Sequence, residues 1–302
     1  MKIALAILSF RRYEFLKLML QTLERNAWVD RVDYWLFQDN AKSWVTGNIY
    51  GQEEEVGQSL KVFDEAKLPN KFVRLQPCNV GPAIQTCDAF DILFGEGYDF
   101  VMLVPNDLAV GKFYVKTVAV LAEQFAQIPE AGLLHTLPVK AKDVTLGELE
   151  AFRCEHGNRV ACGSPEIDGG RLDQGMWRRA WKAIEKDVAG FKSLILQHDF
   201  IDLVAPANSE SWEAAERITA KFGTVQADLA IPMLAERAGL KALHTVSPRA
   251  THLGGAGAYA SYTRKPLNLS DLKWCAKDFW LWDIGDAETY YLAPGMEKCL
   301  KK

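Results

Sequence analysis

Short apolar runs and helical patterns alternate along the first 135 residues of the chain. The apolar runs have strand length, whereas residues such as Leu16, Leu20 and Leu23 recur on one face of a helix. The predicted strands are residues 2–8, 32–37, 72–75, 98–104 and 131–135, and the predicted helices are residues 13–25, 52–66, 82–94 and 113–127. This alternation predicts an α/β fold in which helices flank a mostly parallel central sheet.

The second half of the chain has a weaker pattern and predicts a more irregular, mainly helical region. The predicted helices are residues 172–187, 212–222 and 228–238, with a short one near 146–152, and the predicted strand is residues 240–246. Residues 141–170 are rich in glycine, and residues from 251 onwards are rich in turn formers and aromatics. Because no repeat or Pro/Ser-rich linker separates them, we expect residues 1–135 and 136–302 to pack as one unit.

Polar residues follow several of the predicted strands. Ser9, Asp39 and residues 78–81 come after the first three strands, and Asn106-Asp107 comes after residues 98–104. Ligands of open α/β sheets bind beyond the carboxyl ends of the strands. The sequence therefore predicts that these segments share one cleft.

The composition indicates a globular protein, and the net charge disfavours a dedicated nucleic-acid-binding protein. Of the 302 residues, 49% are apolar and 25% are charged, and the formal net charge of −4 gives no overall attraction to phosphate backbones. No stretch approaches the roughly 20 apolar residues of a membrane span. The apolar run at the N-terminus is broken by Arg11 and Arg12, unlike a signal peptide. We expect a cytoplasmic protein.

The six cysteines are scattered through a chain that is large enough to need no disulfide, so reduced thiols are expected. Cys154, His156 and Cys162 form a local group of possible metal ligands. This group lacks the paired spacing and the fourth ligand of a zinc site, which favours an ordinary loop.

The pair Asn106-Asp107 is the strongest candidate for chemistry. A buried strand would deliver a carboxylate and an amide into the cleft, where Mg²⁺ or Mn²⁺ binds one or two carboxylates together with substrate phosphate oxygens. The alternative is that the pair only forms a turn.

Four segments in order resemble the motifs of glycosyltransferases of the GT-A fold, the nucleotide-diphospho-sugar transferase type, similar to family 2. They are residues 8–11, 37–40, 79–82 and 105–107. The resemblance implies a Rossmann-like nucleotide-sugar-binding subdomain at residues 1–135 and an acceptor-binding, catalytic subdomain at residues 136–302. It also implies a UDP-sugar donor and an Mn²⁺ or Mg²⁺ cofactor.

The resemblance assigns roles to residues of the first half. It implies that Ser9 and Arg11 contact the nucleotide, that Asp39 contacts the nucleoside base, and that Asn79 and Gly81 open the helix before the metal strand.

The last of the four segments departs from the family pattern. The family carries Asp-x-Asp or Glu-Asp-Asp where this chain has Pro105-Asn106-Asp107. By position Asp107 is the implied metal ligand, and Asn106 would contact ribose or a metal-bound water.

In the second half the resemblance points to a base, a further metal ligand and a phosphate-binding loop. Asp228 is the implied general base, His252 a second metal ligand, and Gly254 and Gly255 the backbone that approaches the diphosphate. As alternatives, Asp228 only stabilises a helix N-terminus and His252 is structural.

The segment around residue 173 resembles the stretch in which these enzymes bind donor sugar and acceptor. Asp173 would bind sugar hydroxyls, and Trp177 would stack on a sugar or a base. Trp177 equally suits the core, because Trp181 follows it at helical spacing.

The predicted activity is metal-assisted transfer of a hexosyl or pentosyl unit from a UDP-sugar to an acceptor hydroxyl. One alternative is a nucleotidyltransferase, although residues 8–13 lack the glycine-rich phosphate loop common in that class. Another is a sugar- or nucleic-acid-binding protein of the same fold that is catalytically weakened. The acceptor is left open among a glycan, a protein hydroxyl and a modified nucleic-acid base.

Overall fold

The structure is a computed structural model that describes residues 1–136, 158–164, 173–245, 249–252, 288–292 and 299–300. Of residues 251 and 252 it describes the backbone alone. The prediction of a short helix near residues 146–152 and the group of Cys154 and His156 lie outside the described residues.

The first half follows the predicted alternation. Its strands are β1 (Ile3–Ser9), β2 (Asp33–Gln38), β3 (Lys71–Leu75), β4 (Phe100–Pro105), β5 (Leu108–Val110) and β6 (Ala131–His135). Its helices are α1 (Tyr13–Leu23), α2 (Glu53–Glu65), α3 (Gly81–Gly95) and α4 (Tyr114–Gln124), and a 3-10 turn covers Val29–Arg31. Each predicted strand and helix of this half is present with bounds that shift by a few residues, and only the short β5 was not predicted.

The described parts of the second half add strands as well as helices. The strands are β7 (Arg159–Gly163), β8 (Gln174–Trp177), β9 (Lys241–Thr245), β10 (Ala250–His252) and β11 (Tyr291–Leu292). The helices are α5 (Arg178–Ile195), α6 (Phe200–Val204), α7 (Ser209–Phe222) and α8 (Ala227–Arg237).

Nine of these strands form one mixed sheet in the order β11-β7-β9-β6-β8-β4-β1-β2-β3. The pairs that involve β1 and β2 are parallel, as are β6 with β9 and β7 with β11. Strand β8 runs antiparallel between β4 and β6, and β7 runs antiparallel to β9. The predicted α/β class, with a mostly parallel sheet and flanking helices, is confirmed.

Helices cover both faces of the sheet, which explains the continuous apolar runs. In β1 the side chains of Leu5 and Ile7 join a core with α1, α2 and α4, whereas those of Ala4 and Ala6 join a core with α3, α5, α7 and α8. A strand that is buried on both faces has no solvent-facing positions, so its sequence lacks polar alternation.

The predicted helix at residues 172–187 is wrong in its first turn. Residues 174–177 form β8, whose side chains are all buried, and the helix begins at Arg178. A Cβ atom on Gly175 would lie 2.5 Å from a ring carbon of Phe100, so glycine allows β8 to pack tightly beside β4. Pairing with two neighbouring strands outweighs the local helical pattern here.

The expectation of reduced thiols throughout is also wrong. Cys162 in β7 and Cys299 are joined by a disulfide, and Cys78 and Cys87 are free. The two partners are 137 residues apart in the chain, so no local spacing signals the bond.

Across the described residues, no helix combines the length and the apolar character that crossing a bilayer requires.

Candidate active-site cleft

A cleft of about 840 Å³ opens at the carboxyl ends of β1, β2 and β4. Parallel neighbours place these ends at one edge of the sheet, as predicted from the position of the polar residues. The cleft wall includes eight of the residues predicted from the sequence, namely Ser9, Arg11, Asp39, Asn79, Gly81, Asn106, Asp107 and Asp228. Helices α6 and α8 also contribute to the lining.

Asp39 lies directly after β2 and is held by backbone donors. Its Oδ1 accepts hydrogen bonds from the backbone N–H groups of Asn40 and Val80, both at 3.0 Å, and its Oδ2 accepts one from Gly81, also at 3.0 Å. Burial raises the pKa of Asp39 to about 7, although the three N–H donors act in the opposite direction. The carboxyl group is therefore fixed in orientation and able to change its charge near neutral pH.

Gly81 is required at the start of α3 for two reasons. Its φ of +76° lies in the left-handed region, and a Cβ atom there would lie 2.7 Å from Cβ of Phe200. The absence of a side chain thus lets α6 approach the turn that holds Asp39.

Asn79 organises the same turn. Its Nδ2 donates to the carbonyl of Asn40 at 2.8 Å, and its backbone N–H donates to the carbonyl of Lys42 at 2.6 Å. The Asn-x-Gly segment therefore connects the end of β2 to the start of α3.

Asn106 and its neighbours position the loop after β1. The Nδ2 of Asn106 donates to Oγ of Ser9 at 3.2 Å and to the carbonyl of Arg11 at 3.0 Å. Its backbone N–H donates to Leu8 at 3.0 Å. These bonds give Asn106 a structural role, which differs from the predicted contact with ribose or a metal-bound water.

Asp107 is paired with a guanidinium group. Nη2 of Arg12 lies 3.1 Å from Oδ2 of Asp107, and the two side chains are 20% and 5% exposed. Arg12 has a φ of 70°, in the left-handed region, and its guanidinium lies 5.1 Å from the ring centre of Phe15. A non-glycine residue in this conformation is uncommon and typical of functional or strained sites.

Few described side chains around Asp107 could bind a divalent cation. The described residues contain no group of three or more His, Cys, Asp or Glu able to hold a metal by itself, so a cation here would depend on phosphate oxygens for most of its ligands. His252 in β10 pairs with Leu108, which brings its backbone beside Asp107, but its side chain lies outside the description. The metal pair of Asp107 and His252 stays a prediction.

Asp228 lies in the first turn of α8 and lines the cleft. Burial raises the pKa of Asp228, while hydrogen bonds from its own backbone N–H and that of Leu229 act in the opposite direction. This position is compatible with a general base that faces the cleft. It is equally compatible with the alternative that Asp228 only stabilises the helix N-terminus through the helix dipole.

Trp177 and Asp173 are not brought to the cleft, which corrects their assignment to sugar binding. Trp177 is 1% exposed, and its Nε1 donates to the carbonyl of Ala122 at 2.9 Å. Asp173 is fully buried, and its Oδ2 accepts from the backbone N–H of Thr136 at 2.6 Å. Gln174, the residue after Asp173, does line the cleft. The strand that replaces the predicted helix turns Trp177 into the core beside Phe100.

Gly254 and Gly255 lie outside the described residues, so their predicted approach to the diphosphate stays a prediction.

Several cleft residues were missed from the sequence. Gln85 in α3 donates through Nε2 to the carbonyls of Ser9 at 3.0 Å and Phe37 at 2.7 Å, so it joins the ends of β1 and β2. The sequence feature that could have indicated Gln85 is a single amide side chain within a largely apolar predicted helix. No sequence feature indicates that Phe200 and Ile201 line the cleft, because their position depends on where α6 packs.

Helix α6 is held by the loop after β2. Asp199 caps α6 by accepting from the backbone N–H of Ile201 at 3.1 Å. The same side chain accepts from Oγ of Ser43 at 2.7 Å and from Oγ1 of Thr46 at 3.0 Å. The wall of the cleft is thereby connected to the segment that contains Asp39.

No protein-family model matches the chain, and no curated protein matches it. Among solved structures it is similar to S. aureus TarS, with a TM-score of 0.41, 11% identity and coverage of 65% of this chain and 33% of that one. TarS 1-349 in complex with UDP gives a TM-score of 0.44, 15% identity and coverage of 78% and 70%. TarS 1-349 in complex with UDP-GlcNAc gives a TM-score of 0.46, 12% identity and coverage of 78% of this chain and 71% of that one. Likeness at this level assigns no family, so the function rests on the cleft itself.

Proposed function

We propose that the protein transfers a sugar from a UDP-sugar to an acceptor hydroxyl. The observation that carries this proposal is the convergence of Asp39, the Arg11–Arg12 segment and Asp228 on one cleft at the ends of parallel strands. A nucleoside base, a diphosphate and an acceptor need an oriented carboxylate, positive charge and a base, respectively.

The first half of the chain supplies the nucleotide end of the proposed site. Uracil has an imide N–H group, and the fixed carboxylate of Asp39 is an acceptor for it. The backbone N–H groups of Val80 and Gly81 hold that carboxylate, and Ser9 and Arg11 line the same cleft. The phosphates would then extend from Asp39 towards Arg12.

Asp228 is the proposed general base. Its carboxylate removes the proton from the acceptor hydroxyl while that oxygen attacks the anomeric carbon and the bond from this carbon to the phosphate oxygen breaks. The leaving UDP carries away the bonding electron pair. A raised pKa makes the carboxylate a stronger base than an ordinary aspartate. This assignment predicts inversion at the anomeric carbon.

The second half would contribute the acceptor side through α6 and α8. The apolar side chains of Phe200, Ile201 and Val204 line the same cleft as Asp39 and Asp228. An apolar wall excludes water from the transfer, which limits hydrolysis of the donor. The acceptor class is left open among a glycan, a protein and a modified nucleic-acid base.

The test is release of UDP from a panel of UDP-hexoses and UDP-pentoses, with UDP-GlcNAc as the first donor and mixed acceptors. Transfer requires that UDP release rise with an acceptor and fall in Asp228→Asn. A binding protein of the same fold would bind UDP-sugars without releasing UDP. A nucleotidyltransferase would instead release pyrophosphate from UTP and a sugar phosphate. Either of these results would overturn the proposed function.

A further inference from the structure

The positive charge at the diphosphate end of the cleft comes from the chain itself. Arg12 lines the cleft, remains partly exposed and forms an ion pair with the nearly buried Asp107. We propose that Arg12 binds the diphosphate of the donor in place of a divalent cation, with Asp107 acting to position the guanidinium. This inference rests on the proposed function, because it concerns the same nucleotide site.

The pairing of Asp107 argues against a metal at this position. A cation bound to Asp107 would approach its oxygens to about 2.1 Å, while the guanidinium already lies 3.1 Å from Oδ2. A cation that shared this carboxylate with Arg12 would be repelled by the guanidinium, and the repulsion is strong where the surroundings are buried. Metal binding at Asp107 would therefore compete with the ion pair to Arg12.

The departure at Asn106 agrees with this reading. An acid at that position would offer a second carboxylate to a cation, whereas the amide donates both to Ser9 and to Arg11. A donor at position 106 fixes the loop that carries Arg12. The segment is thus built to place a guanidinium, and the described residues add no cluster of acidic or imidazole ligands.

The local structure prepares Arg12 for this role. Its left-handed backbone conformation, its contact with Phe15 and its bond to Asp107 fix the guanidinium at the cleft wall. A planar guanidinium donates parallel hydrogen bonds to phosphate oxygens and stays charged at all physiological pH values. It would stabilise the negative charge that develops on UDP as the sugar departs.

Calorimetric titration with UDP and with uridine tests the inference. In wild-type protein we expect the same UDP affinity in EDTA and in Mn²⁺. At a given UDP concentration, the electron paramagnetic resonance signal of free Mn²⁺ should be the same with and without the protein. Arg12→Met should weaken UDP binding by about 10- to 100-fold, the effect of removing a charge-assisted hydrogen bond. Uridine, which has no phosphate, should bind equally to both proteins. Arg237→Met, which removes an exposed guanidinium far along α8, is the matched control.

Removal of Arg12 leaves Asp107 without this partner, so folding is checked by thermal unfolding. If Arg12→Met is unfolded, the double variant R12M/D107N removes both charges, and Arg12→Lys keeps the positive one. The same loss of UDP affinity is expected in the double variant.

The inference is overturned if EDTA abolishes UDP binding and Mn²⁺ restores it, or if the folded variants without Arg12 bind UDP as tightly as wild type does in EDTA. In both cases the proposed function survives, because UDP still binds. Failure of wild-type protein to bind UDP with or without Mn²⁺ would instead overturn the proposed function together with this inference.

Discussion

The buried carboxyl group of Asp39 predicts how both the stability of the protein and its affinity for UDP depend on pH. Its side chain is 2% exposed, and burial raises its pKa from 3.8 to about 7. In the unfolded chain the same carboxyl group is exposed to water. The folded protein therefore holds a proton on Asp39 between about pH 4 and pH 7, whereas the unfolded chain releases it.

The sign of the effect on stability follows from this difference. Because the folded state binds more protons, the contribution of Asp39 is fully present below the pKa of the unfolded chain and is lost as the pH rises to the folded pKa. A pKa difference of about 3 corresponds to about 4 kcal/mol of the free energy of unfolding. This is a large share of the 5–15 kcal/mol typical of a domain.

The proposed binding of uracil predicts the opposite pH dependence for the ligand. The imide N–H group requires an accepting, ionised carboxylate, so UDP affinity should rise about tenfold for each pH unit up to about pH 7 and then level off. UDP binding below pH 7 should accordingly release a proton from Asp39.

Two measurements check these expectations. Denaturant unfolding from about pH 4 to about pH 9 gives the slope of stability, and calorimetry in buffers of different ionisation enthalpy gives the proton release. Asp39→Asn should remove both dependences, and Asp64→Asn, which alters an exposed carboxyl in α2, controls for the loss of one charge. A slope that persists in Asp39→Asn, or UDP affinity that does not change below pH 7, would refute the reasoning.

Three further predictions concern the cleft and its surroundings. Asp228→Asn should lower turnover about 100-fold or more in a kinetic assay and leave the affinity for UDP unchanged in a binding assay. Loss of both turnover and UDP affinity would instead assign Asp228 to nucleotide binding. Gly81→Ala should destabilise the protein by about 1–3 kcal/mol in denaturant unfolding, because φ is positive and the methyl group meets Phe200, whereas Gly95→Ala has open space and should not. Trp177→Ala should cost about 3–5 kcal/mol of stability without changing UDP affinity at temperatures where it remains folded; weaker binding there would return Trp177 to the site.

Periodicity predicted most of the first half of the fold because each strand and helix there is locally consistent. Residues 100–104 are apolar throughout, and β4 is buried on both faces. The elements that were missed depend on partners distant in the chain. Strand β8 is stabilised between β4 and β6 rather than by its own residues, and the three-residue β5 pairs with β10. Such short strands have too few residues to show a pattern.

The site could be predicted where one rule of topology was sufficient. Parallel strands end at one edge of the sheet, so Ser9, Asp39 and Asn106-Asp107 were expected together and are together. The part of the cleft that α6 lines could not be predicted in the same way. Helix α6 has only five residues, and its position depends on the bonds from Ser43 and Thr46 to Asp199, more than 150 residues away.

The segment after β4 shows why motif position and motif chemistry have to be judged separately. Position correctly placed Asn106 and Asp107 at the cleft, but the roles of their side chains depend on the loop after β1. Asn106 donates to that loop, and Asp107 holds Arg12, so both residues act on a part of the chain about 95 residues away. The same strand end can present either carboxylates to a metal or a guanidinium to a phosphate, because both arrangements place positive charge against the diphosphate. An amide in place of an acid at position 106 removes a ligand and adds a donor, which shifts the balance towards the guanidinium.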